Sequence, residues 1–131
     1  MIRSRTWPMV ATTLLAIALA AGCDRPATVP TEAGVDNTAL ADLIRGLKLR
    51  DAAARSRCAI TIGRMGPAAK EAVRALTAAL KDRDAGVRAA SAYSLGQIGP
   101  EAKSALTALE SLKGQPATRE VATKAIEKIG G

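Results

Sequence analysis

The stretch DAGVRAASAYSLGQIGPEAKSALTAL, residues 84–109, carries two helices and the break between them. Val87, Ser91, Ser94, Leu95 and Ile98 recur at three- and four-residue steps, which places them on one face of a first helix. Gly99 suits a left-handed cap that stops this helix. Pro100 suits the first position of the next, where its missing N–H costs nothing. Ala102, Ala105, Leu106 and Leu109 then form the buried side of a second helix. Asp82 or Asp84, just upstream, has the short acceptor side chain of a helix N-cap.

The same pattern stands 33 residues earlier. Asp51 and Asp84, Arg55 and Arg88, Gly63 and Gly96, Gly66 and Gly99, Pro67 and Pro100, Ala69 and Ala102, Lys70 and Lys103, and Leu76 and Leu109 all coincide at that lag. So many unlike residue types at one spacing define an internal repeat. A third copy stops early, with Arg119–Gly130 over Arg88–Gly99, Ile126 over Leu95 and Ile129 over Ile98. Upstream, Leu40, Leu43 and Leu47 precede Val73, Leu76 and Leu80 by the same 33 residues, so Thr38 to Arg50 reads as the second helix of an incomplete unit. The array therefore begins and ends on half repeats. Its expected fold is all-α, with about five helices in residues 38–131, and its apolar half-repeat ends offer a route to homo-oligomers.

These residues resemble the short HEAT-like repeat, a kind also found in phycobilisome lyases, with Asp-x-x-Val-Arg, Ala-Leu-Gly-x-Ile-Gly and a proline-led second helix. The first unit departs from it: Ala54 replaces the valine, Arg57 falls at the place of Ala90, and Ile-Thr-Ile-Gly replaces Ala-Leu-Gly. The resemblance implies a short right-handed α-solenoid of stacked antiparallel helix pairs. It also implies that the pairs Asp51 with Arg55 and Asp84 with Arg88 link one repeat to the next. From spacing alone these pairs cap a helix and bond four residues along it, so they are structural, as are Gly66, Pro67, Gly99 and Pro100. Neither the tryptophan-led tetratricopeptide pattern nor the Thr-Pro-Leu-His ankyrin pattern is present.

Composition agrees with close-packed helices. Hydrophobic residues make up 48% of the chain, Phe is absent, and Trp7 and Tyr93 are the only aromatics. Small aliphatic side chains let helix axes approach, and Ala has the highest helix propensity. The chain has no His, which removes the side chain most used for proton transfer near neutral pH and the commonest metal ligand. No catalytic residue, metal site or cofactor is expected. Cys58 sits at the place of Ser91 on the first-helix face and is expected to be a small buried hydrophobe.

The N-terminus has a different character. Arg3 and Arg5 precede the apolar run Met9–Leu19, the charged head and short apolar middle of a secretory signal. Leu19-Ala20-Ala21-Gly22-Cys23 resembles the bacterial lipoprotein signal, which implies cleavage between Gly22 and Cys23 and lipidation of Cys23. Ordinary signal cleavage after Ala20 is the alternative. Asp24 resembles the residue that retains lipoproteins at the periplasmic face of the inner membrane. Residues 23–37 carry two prolines and a glycine without helical period and read as a flexible tether. The expected organisation is a signal peptide over 1–22, the lipidated cysteine with its tether over 23–37, and the repeat domain over 38–131, in the bacterial cell envelope.

Removing residues 1–22 leaves 17 basic against 12 acidic residues. Lys70, Arg74, Lys81, Arg83 and Lys103 lie on or next to the second helices, which line the inner surface in related solenoids. Ile60 and Tyr93 share one repeat position on an outer surface, where the last unit has Lys124. Lys70, Arg74, Lys103, Ile60 and Tyr93 are thus the candidate contacts for a protein partner, in a membrane-anchored scaffold that acts on no small molecule. Two alternatives differ in class: a subunit similar to the phycobilin lyases, and a binder of anionic polymer or nucleic acid through the basic face. Nucleic acid is not the expected partner, because export and the shortage of stacking aromatics both oppose it.

Overall fold

The computed structural model describes residues 37–131. The expected signal peptide, Cys23 and most of the expected tether lie outside the described residues. Helix α1 spans Asn37–Gly46 and α2 spans Ala52–Arg64. A 3₁₀ segment, Gly66–Ala72, leads into α3, Val73–Ala79. Helix α4 spans Ala85–Ile98, and a second 3₁₀ segment, Gly99–Ala105, leads into α5, Leu106–Leu112. Helix α6, Arg119–Gly130, completes the fold, which is all-α among the described residues.

The helices form two layers. α2, α4 and α6 stack side by side, with α4 in the middle packed extensively on both neighbours. α1, α3 and α5, with the 3₁₀ segments, form the second layer against them. Each pair buries its apolar stripe only by lying on the next pair, as a helical solenoid requires. Leu40, Ile62, Leu76, Leu95, Ile98, Leu109, Leu112 and Ile129 make one continuous core across all the pairs. Val35–Gly131 is one compact unit, and that core closes within it.

The central position of α4 changes its expected burial. Val87, Ser91, Ser94, Leu95 and Ile98 are buried, but so are Ala90, Ala92 and Gly96. A helix flanked on two sides and backed by a second layer has little surface left for a polar face. Its hydroxyls are satisfied inside: Ser91 donates to the Val87 carbonyl at 2.8 Å. Ser94 Oγ lies 2.5 Å from the Ala59 carbonyl of α2 and 2.8 Å from its own helix at Ala90. One hydroxyl proton serves these two acceptors, so the bond to Ala59 ties neighbouring repeats together.

Backbone chemistry sets the boundaries. Asp51 and Asp84 hold extended backbone and accept from the N–H groups of Ala54 and Val87 at 2.9 and 3.0 Å. Gly66 and Gly99 have φ of 60° and 79°. The expected left-handed cap at Gly99 is corrected by its ψ of −144°, a fully turned-out conformation that only glycine enters without strain. That turn aims Pro67 and Pro100 into 3₁₀ segments, and the second helices become regular α only after Ala69 and Ala102, with φ, ψ near −95°, 21° and −96°, 18°. The expected single second helix is therefore a 3₁₀ turn joined to an α-helix at a kink.

Cys58 is also corrected. It is half-buried, whereas its counterpart Ser91 is fully buried, because α2 is flanked by a first helix on one side only. Its neighbour is Gly46 at the end of α1, where an added Cβ would stand 3.3 Å from Cys58 Cβ and clash with its sulfur. The half-repeat ends keep apolar side chains that are only partly covered. Leu43 and Ile44 at one end and Val121 and Ile126 at the other are half-buried, and the exposed large hydrophobics among the described residues are Leu49 and Tyr93.

Candidate interaction surfaces

The side-chain contacts between the turns centre on Arg55. Its Nε and Nη2 donate to the two carboxylate oxygens of Asp82 at 2.8 and 2.9 Å, and Nη1 donates to the carbonyls of Leu49 and Arg50, both at 2.8 Å. One guanidinium thus joins the α1–α2 turn to the α3–α4 turn. The side chains of Arg55 and Asp82 are only 11% and 14% exposed, so the bidentate pair is largely sheltered from water. Hydrogen bonding from Arg55 holds the Asp82 carboxyl below its ordinary value against the opposing effect of burial, with further help from the Asp84 N–H. The same hydrogen bond raises the Arg55 pKa.

The expected four-residue pairs are corrected here. Arg55 bonds Asp82 rather than Asp51, and Asp51 meets Arg57 at 4.0 Å instead. Arg88 likewise leaves Asp84 to its cap and donates Nη1 to the carbonyls of Asp82 and Arg83 at 2.7 and 3.0 Å. The reason is geometric: a cap carboxylate turns toward the N–H groups of its own first turn, and an arginine one turn on reaches back across the preceding loop. Arg88 repeats the carbonyl contacts of Arg55, but its buried Nε has no partner. The turn before α6 offers Lys113, Gly114 and Gln115 where Asp82 stands in the unit before, so no carboxylate is available.

Of the candidate partner contacts, Lys70, Arg74 and Lys103 are exposed on the second-helix layer, and Lys81 and Arg83 are exposed on the turn before α4. Tyr93 is 44% exposed, and Ile60 is half-buried against the core. Tyr93 borders a depression of about 250 Å³ between α4 and α6, lined also by Gly96, Val121, Lys124, Ala125 and Lys128. Gln97 Nε2 donates to the Tyr93 hydroxyl at 3.3 Å, and its Oε1 accepts from Lys128 Nζ at 2.6 Å. A phenol braced in this way beside a shallow apolar floor suits protein recognition, where rigid aromatics contribute area at little entropic cost. Lys124 pairs with Glu120 at 2.7 Å, and that hydrogen bond lowers the glutamate pKa and raises the lysine pKa.

Sequence reasoning missed Leu49, which is 50% exposed on the α1–α2 turn. It borders a groove of about 910 Å³ between that turn and the α3–α4 turn, with Lys48, Arg50 and Arg83. The signal was available: Leu47-Lys48-Leu49-Arg50-Asp51 and Leu80-Lys81-Asp82-Arg83-Asp84 are the same turn written twice, with leucine in place of the bridging aspartate.

Comparison with curated proteins finds no match. Among family models, the one for HEAT repeats matches residues 40–130, which span every helix pair described above. Repeats of this family commonly mediate contacts between proteins and are typically scaffolds without catalysis of their own. The helix pairs, their glycine–proline breaks and the arginine that ties the first turn to the second agree with that match: the chain belongs to the HEAT repeat family.

Proposed function

We propose that this protein is a lipid-anchored scaffold of the bacterial envelope that holds a second protein against its first-helix layer at Tyr93. The observation that carries the reading is the braced, exposed Tyr93 beside the depression lined by Gly96, Val121, Lys124, Ala125 and Lys128. Gly96 and Ala125 keep the floor low because helices α4 and α6 touch there without intervening side chains. A partner's apolar side chain fits on that floor, and the lysine ammonium groups at its rim favour an acidic neighbour on the same partner. Anchoring through Cys23 rests on the sequence pattern Leu19-Ala20-Ala21-Gly22-Cys23. Confinement to one membrane raises the local concentration of partners in that membrane, so a modest contact area suffices.

Two measurements test the two parts separately. Mass spectrometry of the N-terminus of the protein purified from a bacterial envelope is expected to find an acylated Cys23; a free thiol there sinks the anchor. The fragment Val35–Gly131, immobilised in envelope extract, is expected to retain a partner that Tyr93→Ala releases and Lys103→Ala does not. Retention that is indifferent to Tyr93 refutes the proposed surface, and recovery of nothing above a bare-resin control refutes the scaffold role.

A further inference from the structure

The three turns that join a second helix to the next first helix lie along one edge of the stack. They read Leu47-Lys48-Leu49-Arg50, Leu80-Lys81-Asp82-Arg83 and Leu112-Lys113-Gly114-Gln115. Leu47, Leu80 and Leu112 are buried and fix each turn to the core; Lys48 and Lys81 then stand at matching exposed positions, whereas Lys113 takes the place of Asp82, its carbonyl accepting from Arg119 as that of Asp82 accepts from Arg88. Helices of adjacent repeats are about 8–10 Å apart, so Lys48 and Lys81 stand at roughly that spacing. Arg50 and Arg83 add two exposed guanidinium groups beside them.

The anionic groups on this edge are engaged. Asp82 is held by Arg55 in the bidentate pair, and Asp51 and Asp84 cap their helices. Lys113 meets Glu110 at 3.2 Å, but Lys48, Arg50, Lys81 and Arg83 are within 4.0 Å of no carboxylate among the described residues. Half-exposed Leu49 sits between Lys48 and Arg50 on the rim of the groove. An apolar side chain between cations gains nothing from a polyanion such as nucleic acid. It gains at the boundary between anionic headgroups and acyl chains, where cations stay with the headgroups and an apolar group enters below them.

We infer that this turn edge is a docking surface for an anionic bilayer, with Lys48, Arg50, Lys81 and Arg83 against headgroup phosphates and Leu49 inserted. The Tyr93 depression lies on the body of α4 rather than at its turn, so docking by the edge leaves it accessible. The surface does not depend on lipidation of Cys23, and the test omits that residue so that the two cannot be confused.

The fragment Val35–Gly131 is mixed with vesicles of phosphatidylglycerol and phosphatidylcholine in equal parts, or of phosphatidylcholine alone, and sedimented. Binding to the first and not the second is expected, weakening as salt is raised. Each cation near an anionic surface contributes about fivefold in partitioning, so Lys48→Gln with Arg50→Gln and Arg83→Gln reduces binding on the order of a hundredfold. The charge-matched variant Lys70→Gln with Arg74→Gln and Lys103→Gln, on the other layer, is expected to bind nearly as wild type. Leu49→Ser weakens binding with unchanged helix content by circular dichroism. Equal losses in the two triple variants mean that net charge alone attracts the domain, and overturn the assignment. Equal binding to both vesicle types or to neither overturns it as well, the latter leaving the edge to an acidic protein.

Discussion

Replacing Gly63 by alanine tests whether the repeats are held by backbone contact between first helices. A Cβ at Gly63 would stand 2.6 Å from Ser94 Oγ and 2.9 Å from Ser94 Cα. Carbon atoms settle at about 3.5–4.0 Å, so α2 and α4 must part by roughly half an ångström or more. Overpacking of this kind costs about 1–3 kcal/mol. Separation also loosens the Ser94 bond to the Ala59 carbonyl, and a buried hydrogen bond left unmade costs about 1–3 kcal/mol. Against these, alanine gains about 1 kcal/mol of helix propensity over glycine. The balance is a net loss of about 1–5 kcal/mol. For a domain of this size each kcal/mol lowers Tm by roughly 4–8 °C. Thermal unfolding of Val35–Gly131 followed by circular dichroism measures it. Gly114→Ala is the control, since a Cβ there would meet nothing nearer than the Ser111 carbonyl at 3.8 Å and no loss is expected. A Gly63→Ala variant as stable as wild type, or more so, would refute the close-contact account of the stack.

The repeat-equivalent Gly96→Ala is expected to lose stability in the same assay, because its Cβ would meet Ala125 Cα at 2.9 Å and Cβ at 3.2 Å. Leu95→Ala, at a fully buried site in the middle of the core, costs about 2–5 kcal/mol by denaturant titration. Asp84→Ala removes the cap on α4 and costs about 1 kcal/mol, read by the same titration. Arg55→Met lowers Tm more than Arg88→Met, since the two arginines make matching carbonyl bonds and only Arg55 also holds a carboxylate. The Asp82 carboxyl has a lower pKa folded than unfolded, so its contribution is present above the ordinary aspartate value and is lost as pH falls through the folded one. Tm is therefore expected to fall on acidification below about pH 4, and less steeply in Asp82→Asn.

The amino-acid sequence determined the helix pairs and where they break. A three- and four-residue apolar step closes hydrogen bonds and lines a face within a single segment, and glycine followed by proline ends one helix and starts another through local backbone freedom alone. The 33-residue lag then made stacking unavoidable, because neither helix of a pair buries its stripe without the next pair. Tertiary structure decided what crosses between pairs. Arg55 chose Asp82, 27 residues away, over Asp51 four residues away, because the cap amides had already engaged Asp51 and the neighbouring turn was brought within reach. The same stacking buried α4 nearly all round, left Arg88 Nε without a partner, exposed Tyr93 beside α6, and aligned Lys48 and Lys81 along one edge. Side chains far apart in the chain meet at distances fixed by the packing of whole helices, and periodicity along one helix carries no information about those distances.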